Sequence, residues 1–465
     1  MTTFLLPLEP VTSIDGYLAS DPGGRGIEAA RRIGAEETIR RIAESGLRGR
    51  GGGGFPTGRK WEGIATQQGA RRYVVCNGSE GEPGTFKDRA LLRANPYQVV
   101  EGLIIAAFAI GADEAFICLK RSFTREIEGV TRAVQEIQSA GICTDCTVNV
   151  VEGPDEYLFG EEKAMLEVIE GKAPLPRWFP PYVHGLFAAE PQAGWEASSH
   201  GGQLRTTGQP NPTLVNNIET LANVGHILDR GADWFRSMGT AESPGTIVAT
   251  VVGDVVAPDV GEVEMGTPLG DVIDAVGSGV RPGRSVKAVF SGVANPVLSA
   301  DALLTPVSYE GFAAAGSGMG SAGFIVYDDT ACMVDAAARL SRFLAVESCG
   351  QCLPCKLGSG AITEHLERIQ GGAGEESDVV AIHQWLERVT DGARCYLATE
   401  ERDLVASVLQ AFPQEFVDHI EHRQCPQVEQ RPMPKLLDLE GGSATYDESY
   451  WRKRPDWTYD PAPEV

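Results

Sequence analysis

The chain has 465 residues, long enough for roughly two to four domains with separate cores, and its 42% apolar content is ordinary for a globular protein. A formal net charge of −24 argues against nucleic acid or an anionic membrane surface as partner. No apolar run reaches the roughly 18–20 residues of a membrane helix. The start, Met1-Thr2-Thr3-Phe4-Leu5-Leu6-Pro7, lacks the basic head and long apolar core of a secretory signal, so a cytoplasmic protein without direct membrane insertion is expected.

Residues 1–40 show no strand pattern and read as an N-terminal extension. Ile27, Ile33, Ile39 and Ile42 have helical spacing over 27–45 and lead into a glycine loop. That loop runs Gly49-Arg50 and then through four glycines, Gly51 to Gly54, into Phe55-Pro56-Thr57-Gly58-Arg59-Lys60-Trp61. Successive glycines let backbone N–H groups approach an anion closely. Thr57 is expected to cap a following helix, and Arg50, Arg59 and Lys60 add charge. The loop reads as a seat for a phosphate-bearing cofactor, against the alternative of a flexible linker; it is neither a G-x-G-x-x-G fingerprint nor a Walker A.

From about 46 to 225 the pattern alternates: strand 72–76, helix 96–110, strand 114–120, helix 124–139, strand 147–151, helix 161–169. That order predicts a parallel sheet covered by helices, with ligands at the carboxyl ends of the strands. The loop Asn77–Gly84 after the first strand and the segment Glu152–Glu162 after the third then share one edge. Residues 174–181 form a proline-rich segment, 194–208 a Gly/Ser/Gln-rich loop, and 212–221 lead into a helix through His226. From Gly245 the texture becomes Val- and Thr-rich, with strands at 247–256 and 287–290 and a short helix from Pro268: a small mixed domain ending near Tyr327. Residues 330–424 read as helical, with periodic stretches at 378–390 and 400–411 and a helix from about Ile362 that carries His365. The polar, Pro-rich tail from Cys425 reads as wrapping the surface or a partner.

Ten cysteines in a cytosolic chain point to metal or redox chemistry rather than disulfides. Cys349-Gly350-Gln351-Cys352-Leu353-Pro354-Cys355 is C-x-x-C-x-x-C, three thiolates for three corners of an iron–sulfur cube. Cys395 or Cys425 can supply the fourth; a zinc site is the alternative. Cys143-Thr144-Asp145-Cys146 reads as incidental thiols rather than a redox pair, and Cys76, Cys118 and Cys332 as small core residues.

Five motifs then stand in order: Gly-Arg-Gly-Gly-Gly-Gly-Phe-Pro-Thr-Gly-x-Lys-Trp, Cys-Asn-x-x-Glu-x-Glu-Pro-Gly-Thr-x-Lys-Asp-Arg, Gly-Glu-Glu, Asn-Asn-x-Glu-Thr-Leu and Glu-Ser-Cys-Gly-Gln-Cys-x-Pro-Cys-x-x-Gly. Over about residues 40–425 this resembles the NADH-binding flavoprotein (51 kDa, or F) subunit of respiratory complex I and its relatives in NAD-linked hydrogenases and formate dehydrogenases. The resemblance implies a Rossmann-like α/β domain at 41–243 for FMN and NAD(H). It also implies a β-grasp (SLBB) domain at 244–329, a helical [4Fe–4S] domain at 330–424 and a tail at 425–465. FMN would meet Gly49, Arg50, Gly51, Gly52, Lys60, Asn77, Glu80, Tyr157, Gly160, Glu161, Asn216, Asn217 and Thr220. NADH would meet Phe55, Glu82, Glu162 and Tyr182. The cluster ligands would be Cys349, Cys352, Cys355 and Cys395, and no acid–base residue is needed for hydride transfer to a flavin.

The resemblance implies an NADH dehydrogenase that passes single electrons through the cluster to an iron–sulfur partner, a ferredoxin or a [2Fe–2S] subunit. Other subunits would attach it to a membrane complex. The rival within the same chemistry is a stand-alone NAD(P)H:ferredoxin or quinone reductase. A rival of another class is a non-catalytic SLBB binding module with a structural metal. The chain departs from the family pattern at Gly78 (usually Ala), Ser79 (usually Asp) and Phe179 (a basic residue before Pro180-Pro181). These positions bear on flavin potential and on NAD versus NADP.

Overall fold

The structure, a computed structural model, describes residues 3–67, 71–188, 210–425 and 431–461. The chain divides into two compact units: residues 1–81, 87–248 and 262–267 form the first, and residues 82–86, 249–261 and 268–465 the second.

The first unit is built on four parallel strands: β1 (Tyr73–Gly78), β2 (Glu114–Lys120), β3 (Thr147–Gly153) and β4 (Thr213–Asn217), in the order β3-β2-β1-β4. The parallel alternation expected from the sequence is present, with one addition. Residues 213–217, read only as a lead-in to a helix, form β4 before the helix Ile218–Arg230. Both faces of β1 and β2 are buried, as parallel strands flanked by helices require. On one face Tyr73, Val75, Phe116, Cys118 and Val215 pack with Phe159, Met165, Leu166 and Leu186. The helix Pro96–Ile110 buries 14 of its 15 residues. Its ends follow from local chemistry: the Asn95 side chain accepts from the Gln98 N–H, Pro96 sits in the first turn, and Gly111 closes it at φ 72°.

The single helix read over 27–45 is two helices, Arg25–Ile33 and Ala35–Glu44, because Gly34 at φ 86° breaks the run. Residues 1–40 are integrated into this unit: Leu5, Tyr17, Ile27, Ala29 and Ala30 are buried. The buried Glu101 carboxylate accepts from the Ile27 N–H at 2.9 Å and from the Tyr17 hydroxyl, tying this segment to Pro96–Ile110.

A second, five-stranded sheet has the order β6-β5-β9-β7-β8, with β5 Thr246–Gly253, β6 Asp259–Glu264, β7 Val286–Ser291, β8 Leu298–Ser299 and β9 Gly323–Asp328. β5 pairs with β9 in parallel through Thr250↔Gly323, and β7 runs antiparallel to both β9 and β8. The short helix expected from Pro268 is Leu269–Gly277. β6, β8 and β9 were not legible, being short or embedded in glycine-rich sequence. Helices Met333–Glu347, Leu353–Gln370, Glu376–Leu386, Leu397–Ala411 and Pro413–His422 follow, as the helical reading predicts. The helix carrying His365 starts earlier than expected, at Leu353, so that it grows directly out of the cysteine motif.

The tail folds back on these helices. Tyr450 is fully buried and its hydroxyl donates to Glu347 at 2.9 Å; Lys453 pairs with the same carboxylate at 2.8 Å, both groups being buried. The Gly/Ser/Gln-rich stretch 194–208 lies outside the described residues.

Candidate functional site

Strand order places the chain reversal between β1 and β4: β2 and β3 extend to one side of β1, and β4 stands on the other. In open α/β sheets the ligand crevice lies outside the carboxyl ends at such a switch point. β1 ends there with Asn77-Gly78 and β4 with Asn217; Asn77 and Asn217 are paired in register, with Asn216 opposite Cys76. Four of the predicted FMN positions (Asn77, Gly160, Asn216, Asn217) converge on this edge. Asn77 Nδ2 donates to the Gly160 carbonyl at 2.8 Å, binding the Tyr157–Gly160 turn to the end of β1. Asn216 Oδ1 accepts from Trp61 Nε1 at 2.8 Å. Asn217 caps the Ile218–Arg230 helix by accepting from the Glu219 N–H at 3.0 Å.

The glycine loop closes on itself: the Gly49 N–H donates to Phe55 O at 2.8 Å, and Arg48 Nε to Gly54 O at 2.8 Å. It presses against Asn217, for a Cβ on Gly51 would lie 3.0 Å from Asn217 Cβ. Gly52, at φ 110°, occupies backbone space that side chains disfavour. The Arg50 N–H donates to Thr220 Oγ1 at 2.9 Å, so another predicted pair is joined. Arg50 itself is fully buried. Its Nη2 donates to Pro244 O and Thr246 O at 3.0 Å each, while Nε and Nη1 have no partner. A Cβ at Gly53 would meet nothing within 4 Å. A buried guanidinium with orphaned donors, on a loop open at its glycines, fits an anionic, phosphate-bearing group. Thr57 does not cap the next helix as expected: Pro56 is the N-cap of Thr57–Ala65, and the Thr57 hydroxyl is buried without a partner.

Lys60 pairs with Glu162, linking a predicted FMN position to a predicted NADH position. Glu161 caps its helix, its carboxylate accepting from Lys163 N at 2.9 Å and Ala164 N at 3.0 Å. Burial pushes its carboxyl up against the opposing pull of Lys163 and these N–H groups. Phe55 and Tyr182 are 54% and 55% exposed, so two aromatic faces stand open to a flat ring. Glu80 is engaged within the fold, accepting from Asp88 N at 3.1 Å and Arg89 Nε at 2.9 Å. Glu82 belongs to the second unit, where it accepts from the Val293 N–H at 3.0 Å and Ser321 Oγ at 2.8 Å.

Sequence reading missed the ion cluster beneath Asn217. Lys87 Nζ lies 2.8 Å from Asp88, 3.0 Å from Glu219 and 3.0 Å from Asn217 Oδ1; Asn217 Nδ2 donates to Asp88 at 2.7 Å. All three charged groups are buried. Burial alone would lower the Lys87 ammonium, and the carboxylates of Asp88 and Glu219 more than reverse this. Burial pushes the Asp88 carboxyl up to about 6. Lys87 and Asp88 stand in a quoted motif, but only the fold shows that they orient Asn217.

In the second unit Cys352 is the N-cap of Leu353–Gln370, and Cys355 lies in its first turn with Ser348 Oγ 3.3 Å from Sγ. Burial pushes the Cys355 thiol up to about 11 and raises that of Cys349. Three thiols gathered around one helix start fit a cluster that holds them as thiolates. Arg394 donates to Gln351, bringing the residue beside Cys395 to the loop between Cys349 and Cys352. Cys425, the other candidate fourth ligand, lies instead with Cys332 and His419.

Comparison with known proteins agrees with this division. Residues 42–226 match the family model of the Nuo51 FMN-binding domain, and residues 335–419 that of the NADH-ubiquinone oxidoreductase-F iron–sulfur binding region. The chain is 37% identical over 428 residues to an NADH-quinone oxidoreductase F subunit (F 2) of Rhizobium meliloti, covering 89% of this chain and 96% of that one. It is 35% identical to HndC, a subunit of the NADP-reducing hydrogenase of Solidesulfovibrio fructosivorans, covering 89% and 82%. Among solved structures, an NAD+-reducing [NiFe]-hydrogenase in the H2-reduced state superposes with a TM-score of 0.76 at 31% identity, covering 90% of this chain and 68% of that one. The two domain matches and the near full-length identity lead to one assignment: the chain belongs to the family of NADH-quinone oxidoreductase F subunits, with an FMN-binding domain followed by a [4Fe–4S] region.

Proposed function

We propose that the crevice between the carboxyl ends of β1 and β4 seats FMN on the glycine loop, and that NADH is oxidised there. The observation that carries this reading is the convergence of Asn77, Gly160, Asn216, Asn217 and the orphaned Arg50 donors within one unit. Bound there, FMN would supply the chemistry: acceptance of hydride from NADH and release of single electrons to a [4Fe–4S] cluster. The chain supplies binding and orientation. Gly49, Gly51 and Gly52 admit backbone approach; Arg50 and Lys60 balance phosphate charge; Asn77, Asn216, Asn217, Thr220, Tyr157, Gly160 and Glu161 shape the ring and ribityl seat. Glu80, turned into the fold, acts in that set through Arg89 and Asp88. Phe55 and Tyr182 stack on the nucleotide, and Glu162 accepts from its hydroxyls. Cys349, Cys352, Cys355 and Cys395 hold the cluster.

The five-stranded sheet supports the β-grasp (SLBB) reading: its first strand, β5, lies between β6 and β9 and is parallel to β9. Domain limits at 40, 243, 329 and 424 belong to the same proposal. Relatives named as subunits of quinone oxidoreductases and of a hydrogenase support an iron–sulfur protein or subunit as electron acceptor. No helix among the described residues is long and apolar enough to cross a membrane. The likeness to a quinone oxidoreductase subunit supports attachment to a membrane complex through other subunits, on its cytoplasmic side. The HndC likeness and the departures at Ser79 and Phe179 keep NADPH as a competing donor.

An anaerobic absorbance titration of the purified protein with NADH and then NADPH tests the reading. Flavin bands and a broad iron–sulfur shoulder that bleach with one nucleotide are expected. Protein without flavin, unchanged by either nucleotide, would overturn it.

A further inference from the structure

We propose a second metal centre in this chain: a zinc ion bound by Cys332 Sγ, His419 Nε2 and Cys425 Sγ, separate from the iron–sulfur ligands. These three ligand atoms, from the start of one helix, the last turn of another and the chain just beyond it, all lie within 4.8 Å of one another. Cys332 Sγ stands 3.3 Å from His419 Nε2. A tetrahedral zinc with Zn–S of about 2.3 Å and Zn–N of about 2.0 Å sets its ligand atoms roughly 3.5–3.8 Å apart, so only a small adjustment is needed.

The surroundings prepare each donor. His419 Nδ1 lies 2.6 Å from the Glu415 carbonyl. A carbonyl can only accept, so Nδ1 carries the proton and Nε2 turns its lone pair towards Cys332. This is the outer-shell arrangement that commonly fixes a metal-bound imidazole. Cys332 is the N-cap of Met333–Glu347, and its sulfur accepts from the Asp335 N–H at 3.3 Å. Burial pushes the Cys332 thiol up, and this backbone donor pulls against it. Arg423 ends Pro413–His422 in the left-handed conformation, φ 57°, and this turn carries the chain from His419 back to Cys425. Glu415, one turn before His419, is spent on the Met333 N–H at 2.8 Å and on Lys287 at 2.6 Å, which anchors the two helix ends to each other.

Two thiolates and one imidazole suit zinc: soft enough for sulfur, compatible with nitrogen, and content with three protein ligands and a water. Cys332 and His419 are 3% and 1% exposed, while Cys425 is partly exposed. The water position therefore faces the Cys425 side. The site joins Met333–Glu347 to Pro413–His422.

The test is metal analysis of the holoprotein after exhaustive EDTA dialysis. One zinc per chain is expected beside about four irons, with an X-ray absorption signature of two sulfur and one or two nitrogen or oxygen neighbours. Cys425→Ser should drop zinc to below about 0.1 per chain while iron and flavin stay at wild-type levels. Zinc absent from the wild type would overturn the proposal, as would zinc unchanged in Cys425→Ser or a Cys332–Cys425 disulfide in the mass map. The absorption signature is read on the wild type, so poor folding of the variant leaves the proposal decidable.

Discussion

Arg50 and Lys60 bring cations to the same loop by different means, and their substitutions separate binding from stability. Arg50 is fully buried with two orphaned donors. Arg50→Met removes two bonds to carbonyls and the charge that the proposed phosphate seat would need. Flavin content should fall from about one to below about 0.1 per chain, with roughly 2–3 kcal/mol lost from the unfolding free energy. Flavin absorbance of the purified variant, followed by urea unfolding, reads both; full flavin content would remove Arg50 from the seat. Lys60 and Glu162 are 25% and 42% exposed, and exposed pairs contribute under about 1 kcal/mol. Lys60→Gln should leave the melting curve nearly unchanged and weaken flavin retention about tenfold or more, the value of a charged hydrogen bond.

His226 offers a pH test at the same scale. It is buried in Ile218–Arg230, with Nε2 3.2 Å from Gln98 Oε1 and Nδ1 unpartnered. Burial, helped by Arg230, lowers its pKa from 6.5 to about 3. The folded value lies below the unfolded one, so its contribution is complete above pH 6.5 and is lost as pH falls from there towards 3. The loss is about 1.4 kcal/mol per pH unit. Between pH 7.5 and 5.0 the wild type should lose about 2 kcal/mol more than His226→Gln in urea unfolding. Parallel losses would mean that the imidazole is solvated.

At the scale of elements, close backbone approach sets the demands. A Cβ on Gly58 would lie 2.4 Å from Ala43 Cα, and main-chain atoms cannot swing away. The helices Ala35–Glu44 and Thr57–Ala65 would have to part. Gly58→Ala is expected to cost about 2 kcal/mol or more, seen as a lower urea midpoint with an unchanged m-value. The same scale explains the uneven legibility of the elements. Pro96–Ile110 was readable to the residue because Asn95, Pro96 and Gly111 are written at its ends. β4 was not, because Thr213–Asn217 is five residues long and runs straight into a helix, so no period-2 signal could build up. The break at Gly34 was hidden because an isoleucine spacing of six and three residues continues across it.

Across the whole molecule, residues far apart in sequence complete the proposed metal sites and the tail contact. Arg394 reaches Gln351, whereas Cys425 meets Cys332 and His419. Cys395→Ser should therefore lose most of the iron and Cys425→Ser none; iron analysis of the two proteins decides. In the tail, Lys453 and Glu347 are 2% and 1% exposed, and Lys453→Met leaves the carboxylate with the Tyr450 hydroxyl as its remaining partner of the two. Removing one member of a buried pair costs roughly 3–5 kcal/mol. The variant should unfold at lower urea by tryptophan fluorescence while keeping its flavin spectrum.

By itself the sequence determined the parallel α/β class, the glycine loop, the cysteine motif and the family, because each rests on short-range chemistry. Hydrophobic periodicity, a run of glycines and C-x-x-C-x-x-C are all properties of neighbouring residues. Only the tertiary structure decided which side chains face one another. Glu80 is held by Arg89 and Asp88, and Cys332, a buried core residue as its sequence suggested, stands beside His419. Such pairings depend on strand order and helix crossings, set by burial summed over the whole core, and no local spacing records them.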